Sequence, residues 1–357
     1  MKQIIAVLFS WLLALPLLAE HTTTATGYKI TKEWNIEPNT DFELVAKYQN
    51  YKVEIWDKET VRIEFVMDAT SGKMNEDDFK NGLKINVEKS DRKLKVTTNM
   101  NERSSSIWSW IFNNNKNNDA YKISNTLYLP KSIASLMFTI NYCELIIDDI
   151  NIPTKINCNY GEVSIQKNKN RTILNTSYSD VKIGDISHLK ISSSYSDYIL
   201  SIIDTLTIAS SYDDIKLSSC SILPSINMSY GNITIGKIGY IKATTTYSDI
   251  KINLITQEVN ATLTYSELIL NNVSRNISGI GINCVYSDCK IKINPENPIN
   301  LVVNDVNGDI NIKNSPLVIT KKQETSKTTL LHAKTKSATE SSPIIKINSK
   351  NSDLIFN

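Results

Sequence analysis

Apolar and polar residues alternate with period two along most of this chain. In "VKIGDISHLKI", Val181 and Ile183 alternate with polar residues, and Leu189 and Ile191 do so again. Alternation of this kind predicts strands with one buried face. The exception is "NEDDFKNGL", which predicts one short helix capped by Asn75, with acids in its first turn.

The alternation itself recurs. Its marker is a tyrosine, at Tyr142, Tyr160, Tyr178, Tyr195, Tyr212, Tyr230, Tyr247, Tyr265 and Tyr286, with steps of 17, 18 and finally 21 residues. Asn307 takes the tyrosine's place in "VNGDINI", one further step on. Asn351 takes it in "KNSDLIF", after a long gap. Two residues after each tyrosine stands an acid or its amide: Glu144, Glu162, Asp180, Asp197, Asp214, Asn232, Asp249, Glu267 and Asp288. The residue between them is usually Ser or Gly, a turn former.

Each unit therefore reads as a strand, a corner at Y-S-D, a second strand and a looser turn. Five or so apolar side chains cannot offset the ordering of such a unit alone, so neighbours must stack and share ladder hydrogen bonds. Self-similarity at this period predicts a solenoid. The expected fold is an all-β parallel β-helix of about ten coils of 17–21 residues. A right-handed path follows from the general preference of parallel crossovers. Left-handed hexapeptide helices need strict multiples of six, which the 17-residue steps break. Calcium-binding nonapeptide rolls need G-G-x-G-x-D, which is absent.

The segments outside the repeat divide the chain. Residues 1–19 read as a signal peptide, with Lys2 ahead of an apolar run and Ala19 before a cut at Glu20. Residues 20–135 read as a β-rich entry and capping region, in which "KYQNYKVEI" at Lys47–Ile55 resembles a worn tyrosine coil. Residues 136–357 read as the β-helix, interrupted by a mobile Lys/Thr/Ser-rich excursion at 321–342. The stretch 104–120 sets Trp108, Trp110, Ile111 and Phe112 among polar residues. Two readings stand: a contact loop for glycan, lipid or protein, or a plug folded over the rod's end.

Composition narrows the function classes. A net charge of +2 over 357 residues gives no field that would favour nucleic acid. No second apolar stretch is long enough to span a membrane after signal cleavage. The expected location is exported: periplasm, cell surface or secreted. The five cysteines lack metal-site spacing and read as small buried hydrophobes, with Cys284 and Cys289 the one pair worth testing for a bridge.

The two columns invite chemistry. The acids at Asp180, Asp197, Asp214, Asp249 and Asp288 could accept backbone N–H bonds at the corners or hold a line of calcium ions. Corner capping is the favoured reading, so no metal is expected. The tyrosines, by inward parity, read as rings stacked for stability, with a sugar-binding aromatic ladder as the alternative. His21, His188 and His332 fall in a tail, a turn and a loop, and no nucleophile elbow, P-loop, zinc motif or dinucleotide fingerprint occurs. No catalytic residue and no cofactor are expected.

The coils "NYGEVSI", "SYGNITI", "SYSDVKI" and "TYSDIKI" resemble those of the bacterial putative-adhesin family of exported single-chain β-helices, common in Bacteroidota. "YKVEIWDKETVRIEF" at Tyr51–Phe65 and "SIWSWIFNNN" match the family's entry segment and its Trp/Asn-rich insertion. The resemblance implies a non-catalytic exported β-helix, a cell-envelope binding module for a glycan or envelope protein. A structural or assembly protein of the envelope is the alternative, with a polysaccharide-active β-helix enzyme behind it. The use of Ser more often than Gly after the tyrosine departs from the family pattern and leaves handedness open.

Overall fold

The computed structural model describes residues 27–68, 76–100 and 122–357. The expected signal peptide, the Asn75 cap and the segment holding Trp108, Trp110 and Phe112 lie outside the described residues. Among the described residues the regular structure is all strand except one helix, Glu76–Gly82.

The strands form a parallel stack in the frame set by the tyrosines. Asp180–Ser194 pairs with Asp197–Ser211 residue for residue, from Asp180 opposite Asp197 to Ser194 opposite Ser211. Between corners each central coil is one strand of 15 or 16 residues. The expected looser turn is instead a bend inside a continuous ladder. Differences of one residue between neighbouring coils appear there as register shifts, at Asn168/Arg171, Thr205/Thr207, Leu223/Ile226 and Ile238/Tyr240. A bulge costs one unpaired residue, whereas a slip at the corner would turn every apolar side chain outward.

The interior follows from the alternation. Val181, Ile183, Ile186, Leu189 and Ile191 of one coil are buried, and Ile233, Ile235, Ile238 and Ile241 fill the equivalent places farther along. These side chains stack on their counterparts in a single continuous core. β-branched residues suit such pleated, fully buried positions.

Chain order and spatial order part company at both ends. The coil of Tyr48 lies directly against that of Tyr142: Asp41–Lys47 pairs in parallel with Ser135–Asn141, and the Tyr48 N–H donates to the Asn141 carbonyl at 3.1 Å. At the other end, Ile344–Lys350 lies between Gly279–Val285 and Asn300–Val306, in parallel with both. The Tyr286 N–H donates to the Lys350 carbonyl at 2.9 Å, and the Asn351 N–H to the Val306 carbonyl at 2.8 Å. The repeat in the sequence predicts Asn307 next after Tyr286 and Asn351 last; in space the order is reversed. Both copies satisfy the same column pattern, so the pattern could not rank them. The turn around Asn294–Asn297 carries the chain past one level, and the C-terminal strands fill it.

Antiparallel strands close the stack. At the start, Leu83–Ser90 pairs with Lys93–Met100, and Gly27–Asn35 with Thr60–Asp68. At the far end the expected excursion is a hairpin, Val318–Glu324 with Thr328–Lys334, whose second strand lies antiparallel on Asn300–Val306. Leu331 and Ala333 alternate inward there and are buried, which gives the segment a reason to be a strand.

Candidate functional site

A typical corner consists of a tyrosine, a small residue and an acid, and each plays a different part. The tyrosine backbone is left-handed: φ lies at 50–59° from Tyr48 through Tyr286, with 50° at Asn351 and 57° at Asn307. That conformation costs an L-residue about 1–2 kcal/mol. Cross-coil bonds help to offset it, since each tyrosine N–H donates to the carbonyl just before the next coil's tyrosine. Tyr160 reaches Ser177 at 3.0 Å, Tyr178 reaches Ser194 at 3.1 Å and Tyr247 reaches Thr264 at 3.0 Å.

The left-handed residue resets the strand's phase, so the ring swings outward. The nine rings Tyr142 to Tyr286 keep 45–50% of their surface exposed, against the inward parity expected from the sequence. Period-two counting assumes unbroken extended backbone, and the corner breaks it. The rings nevertheless stack. Successive centroids from Tyr142 to Tyr286 are 4.7–5.1 Å apart with planes within 9° of parallel. Tyr48 extends the ladder at 5.0 Å from Tyr142.

The inward place belongs to the residue after the tyrosine. Ser179, Ser196, Asp213, Ser248, Ser266, Ser287 and Ser352 are buried. The serine hydroxyls form an internal column, with the Asp213 carboxylate taking one place in it. The Ser248 N–H donates to Ser266 Oγ at 3.2 Å, the Ser266 N–H to Ser287 Oγ at 3.0 Å and the Ser287 N–H to Ser352 Oγ at 3.0 Å. Each of those hydroxyls in turn donates back within its own coil, as Ser266 does to the Thr264 carbonyl at 2.9 Å. A buried N–H left bare by a larger apolar residue would cost about 1–3 kcal/mol. From sequence alone this position reads only as a turn former. The available signal was its restriction to Cys143, Gly161, Ser, Asp213 and Gly231, with no large apolar residue in any tyrosine coil.

Asp213 is the outlier in the column. Its carboxylate accepts the Ser196 N–H at 2.8 Å and the Ser193 hydroxyl. Burial nevertheless pushes its pKa above the usual carboxylate range, outweighing those bonds. A raised folded-state pKa means stability that is complete below the unfolded pKa and lost as pH rises through the folded one. Asp213→Ser, which restores the column residue, is expected to raise Tm by a few degrees at pH 7. The gain should shrink to nothing below the carboxylate range; paired melting curves from pH 3 to 8 measure it, and a pH-independent difference would rule out this origin.

The acid column faces water. Asp180, Asp197, Asp214, Asp249 and Asp288 are exposed. The N–H groups of Asp180, Asp197, Asp249 and Asp288 are held by the preceding coil, as Asp180 by the Gly161 carbonyl at 3.0 Å. Asp249 and Asp288 accept main-chain N–H bonds, from Glu267 at 3.0 Å and Asp353 at 3.3 Å. Others take side-chain partners: Lys182 pairs with Glu162 at 2.8 Å, Lys290 with Glu267 at 2.5 Å, and Asn232 donates to Asp214 at 2.8 Å. Such exposed contacts contribute little each. Among the described residues no three His, Cys, Asp or Glu side chains gather in metal-ligating geometry.

On the other flank of the ridge the side chains are small and uncharged. Ser192, Ala209, Ser211, Asn227, Ser229 and Thr246 line a shallow trough of about 480 Å³. Ridge and trough together form a long, even surface. Each interior ring has both faces covered by its neighbours, so a sugar cannot stack on them. Ring edges, hydroxyls and the trough remain for lateral contact.

The other candidate residues are scattered. All five cysteines are buried and free, Cys284 and Cys289 included. The hydrogen bond with Cys284, together with burial, holds the Cys289 thiol well above its usual range. Burial likewise pushes Cys143 and Cys220 up to about 11. His188 and His332 sit on separate strands, Asp180–Ser194 and Thr328–Lys334. No helix among the described residues is long and apolar enough to cross a membrane.

No protein-family model matches the sequence, and no curated protein matches it. Solved structures do. One is a putative cell adhesion protein from Clostridium sporogenes, at 11% identity over 92% of this chain and 98% of that chain, with a TM-score of 0.23. A putative lipid binding protein from Parabacteroides distasonis matches at 13% identity over 92% and 96%, with a TM-score of 0.32. A putative adhesin from the same species matches at 14% over 74% and 90%, with a TM-score of 0.31. At scores this low the likeness adds no weight to the fold or the function, both of which rest on the geometry above.

Proposed function

We propose that this protein is an exported, non-catalytic binding rod of the cell envelope, built as a right-handed parallel β-helix of about ten coils. The tyrosine ridge and its trough are its contact surface, and an envelope glycan or protein lying along the rod is the ligand. The observation that carries this reading is the ladder itself, a row of stacked rings kept half exposed by a left-handed backbone. Large aromatic surface left open in this way marks an interaction site. Its chemistry repeats on every coil, which suits an extended ligand rather than one reaction centre. Residues 20–135 then serve as entry and cap, and the segment with Trp108, Trp110 and Phe112 as an accessory contact.

The test is binding to an array of envelope glycans and purified envelope proteins. The triple variant Tyr195→Asn, Tyr212→Asn, Tyr230→Asn removes the ridge's middle, and Asn tolerates the left-handed corner, as it does at Asn307 and Asn351. Wild-type binding that falls at least tenfold in this variant, with an unchanged circular dichroism spectrum, is expected. Equal binding by the variant, or loss only on Trp108→Ala and Trp110→Ala, would move the contact off the ridge. Turnover of a polysaccharide would replace the reading with an enzyme.

A further inference from the structure

The strand Val318–Glu324 buries nothing. All seven residues are exposed, and Val318 and Ile319 keep 51% and 47% of their surface. It is hydrogen-bonded along one edge only, to Thr328–Lys334. Among the described residues no strand lies on its other edge. The outer strands at the opposite end differ: Ile85 and Val87 of Leu83–Ser90, and Tyr28, Ile30 and Trp34 of Gly27–Asn35, pack against the core. A strand held by one ladder without burial is marginal by itself, and its bare edge is a template for another strand.

We propose that the outer edge of Val318–Glu324 is a docking site for an extended acidic segment of a partner protein, which adds to the sheet as a further strand. Backbone N–H and C=O groups supply the affinity in this mode and side chains the selectivity. Charge selects the partner here. From Val318 to Lys336 there are five lysines, Lys321, Lys322, Lys327, Lys334 and Lys336, against the single acid Glu324. The chain as a whole carries only +2, so this hairpin is locally basic, even with Lys322 paired to Glu324 at 2.8 Å. Acids opposite Lys321 and Lys322, with apolar residues opposite Val318 and Ile319, would satisfy both halves of the strand at cross-strand distance.

A second copy of the chain fits poorly. Two-fold antiparallel pairing about Lys321 sets that lysine against its own counterpart, and like charges directly opposite destabilise a pair, while pairing about Gln323 sets Lys322 against Glu324 but leaves both Lys321 side chains without an acid. This edge lies on the closing hairpin rather than on the ridge, so it is independent of the ligand proposed above.

The experiment uses the full chain and a fluorescent nine-residue peptide of alternating Glu, Val and Thr, read by anisotropy. Controls are the same peptide with Lys for Glu, and one N-methylated at alternate residues, which removes strand donors but keeps the charge. The expected result is binding of the acidic peptide, at least tenfold weaker binding of both controls, and slowed amide exchange at 318–324. The variant Lys321→Glu, Lys322→Glu, whose substitutions fall at exposed positions, should reverse the charge preference with Tm unchanged. Equal binding of the N-methylated peptide would reduce the site to charge attraction and overturn the proposal, as would no binding at all. Concentration-dependent self-association that the double variant abolishes would assign the edge to a second copy instead.

Discussion

Deleting residues 344–357 is expected to unfold the far end of the rod, not to shorten it by one coil. These are the last residues of the sequence but an internal level of the stack. Ile344–Lys350 is bonded to a strand on each side, and Asp353–Phe356 likewise lies between Asp288–Ile291 and Asp309–Asn311. Ile345, Ile347, Leu354 and Phe356 are all at most 1% exposed. Burial of four such side chains contributes roughly 6–12 kcal/mol, comparable with the whole net stability of a typical domain. The deletion also strips Ser352, whose hydroxyl receives the Ser287 N–H. Limited proteolysis should then cleave within 300–334 in the truncated chain and not in the intact one. Retention of a protected 300–334 segment would show that the terminal coil can dock directly on the coil of Tyr286.

Tyr212→Val is expected to destabilise the protein far more than Tyr212→Asn. Both remove a ring that stacks at 4.7 Å on Tyr195 and 4.9 Å on Tyr230, a loss of about 0.5–1.5 kcal/mol per contact. They differ in what they ask of the backbone, which holds φ at 59°. Asn accepts this region readily, whereas a β-branched residue there is strained by about 1–3 kcal/mol. The expected losses are on the order of 3 kcal/mol for Val and about 1–2 kcal/mol for Asn, read as ΔΔG from urea unfolding. Equal losses would mean that the ring contacts, not the left-handed corner, decide which residue the position takes.

Much of this architecture was legible in the sequence because a stack repeats its constraints. Tyr178, Tyr195 and Tyr212 could be aligned by eye, and apolar partners such as Val181 and Ile183 followed by parity. Three features were hidden, each for a physical reason. The outward aim of the rings depends on a sign of φ that alternation does not encode. The buried serine column looked like turn chemistry because Ser suits both a turn and an internal hydrogen bond. The exchange of Asn351 and Asn307 was invisible because either copy can sit on Tyr286 with the same pattern. The ridge as a candidate site was half legible: the repeat names its members, but whether they face core or water depends on the corner's geometry.

The bulges at the far bend have a consequence for how such a rod can diverge. A coil can gain or lose a residue at that bend, between Thr205 and Thr207 for example, while the corner keeps its register with its neighbours. Length variation is thereby confined to the side opposite the ladder, and the spacing of the rings is insulated from it. Insertions can accumulate in one flank of the molecule without detuning the periodic surface on the other.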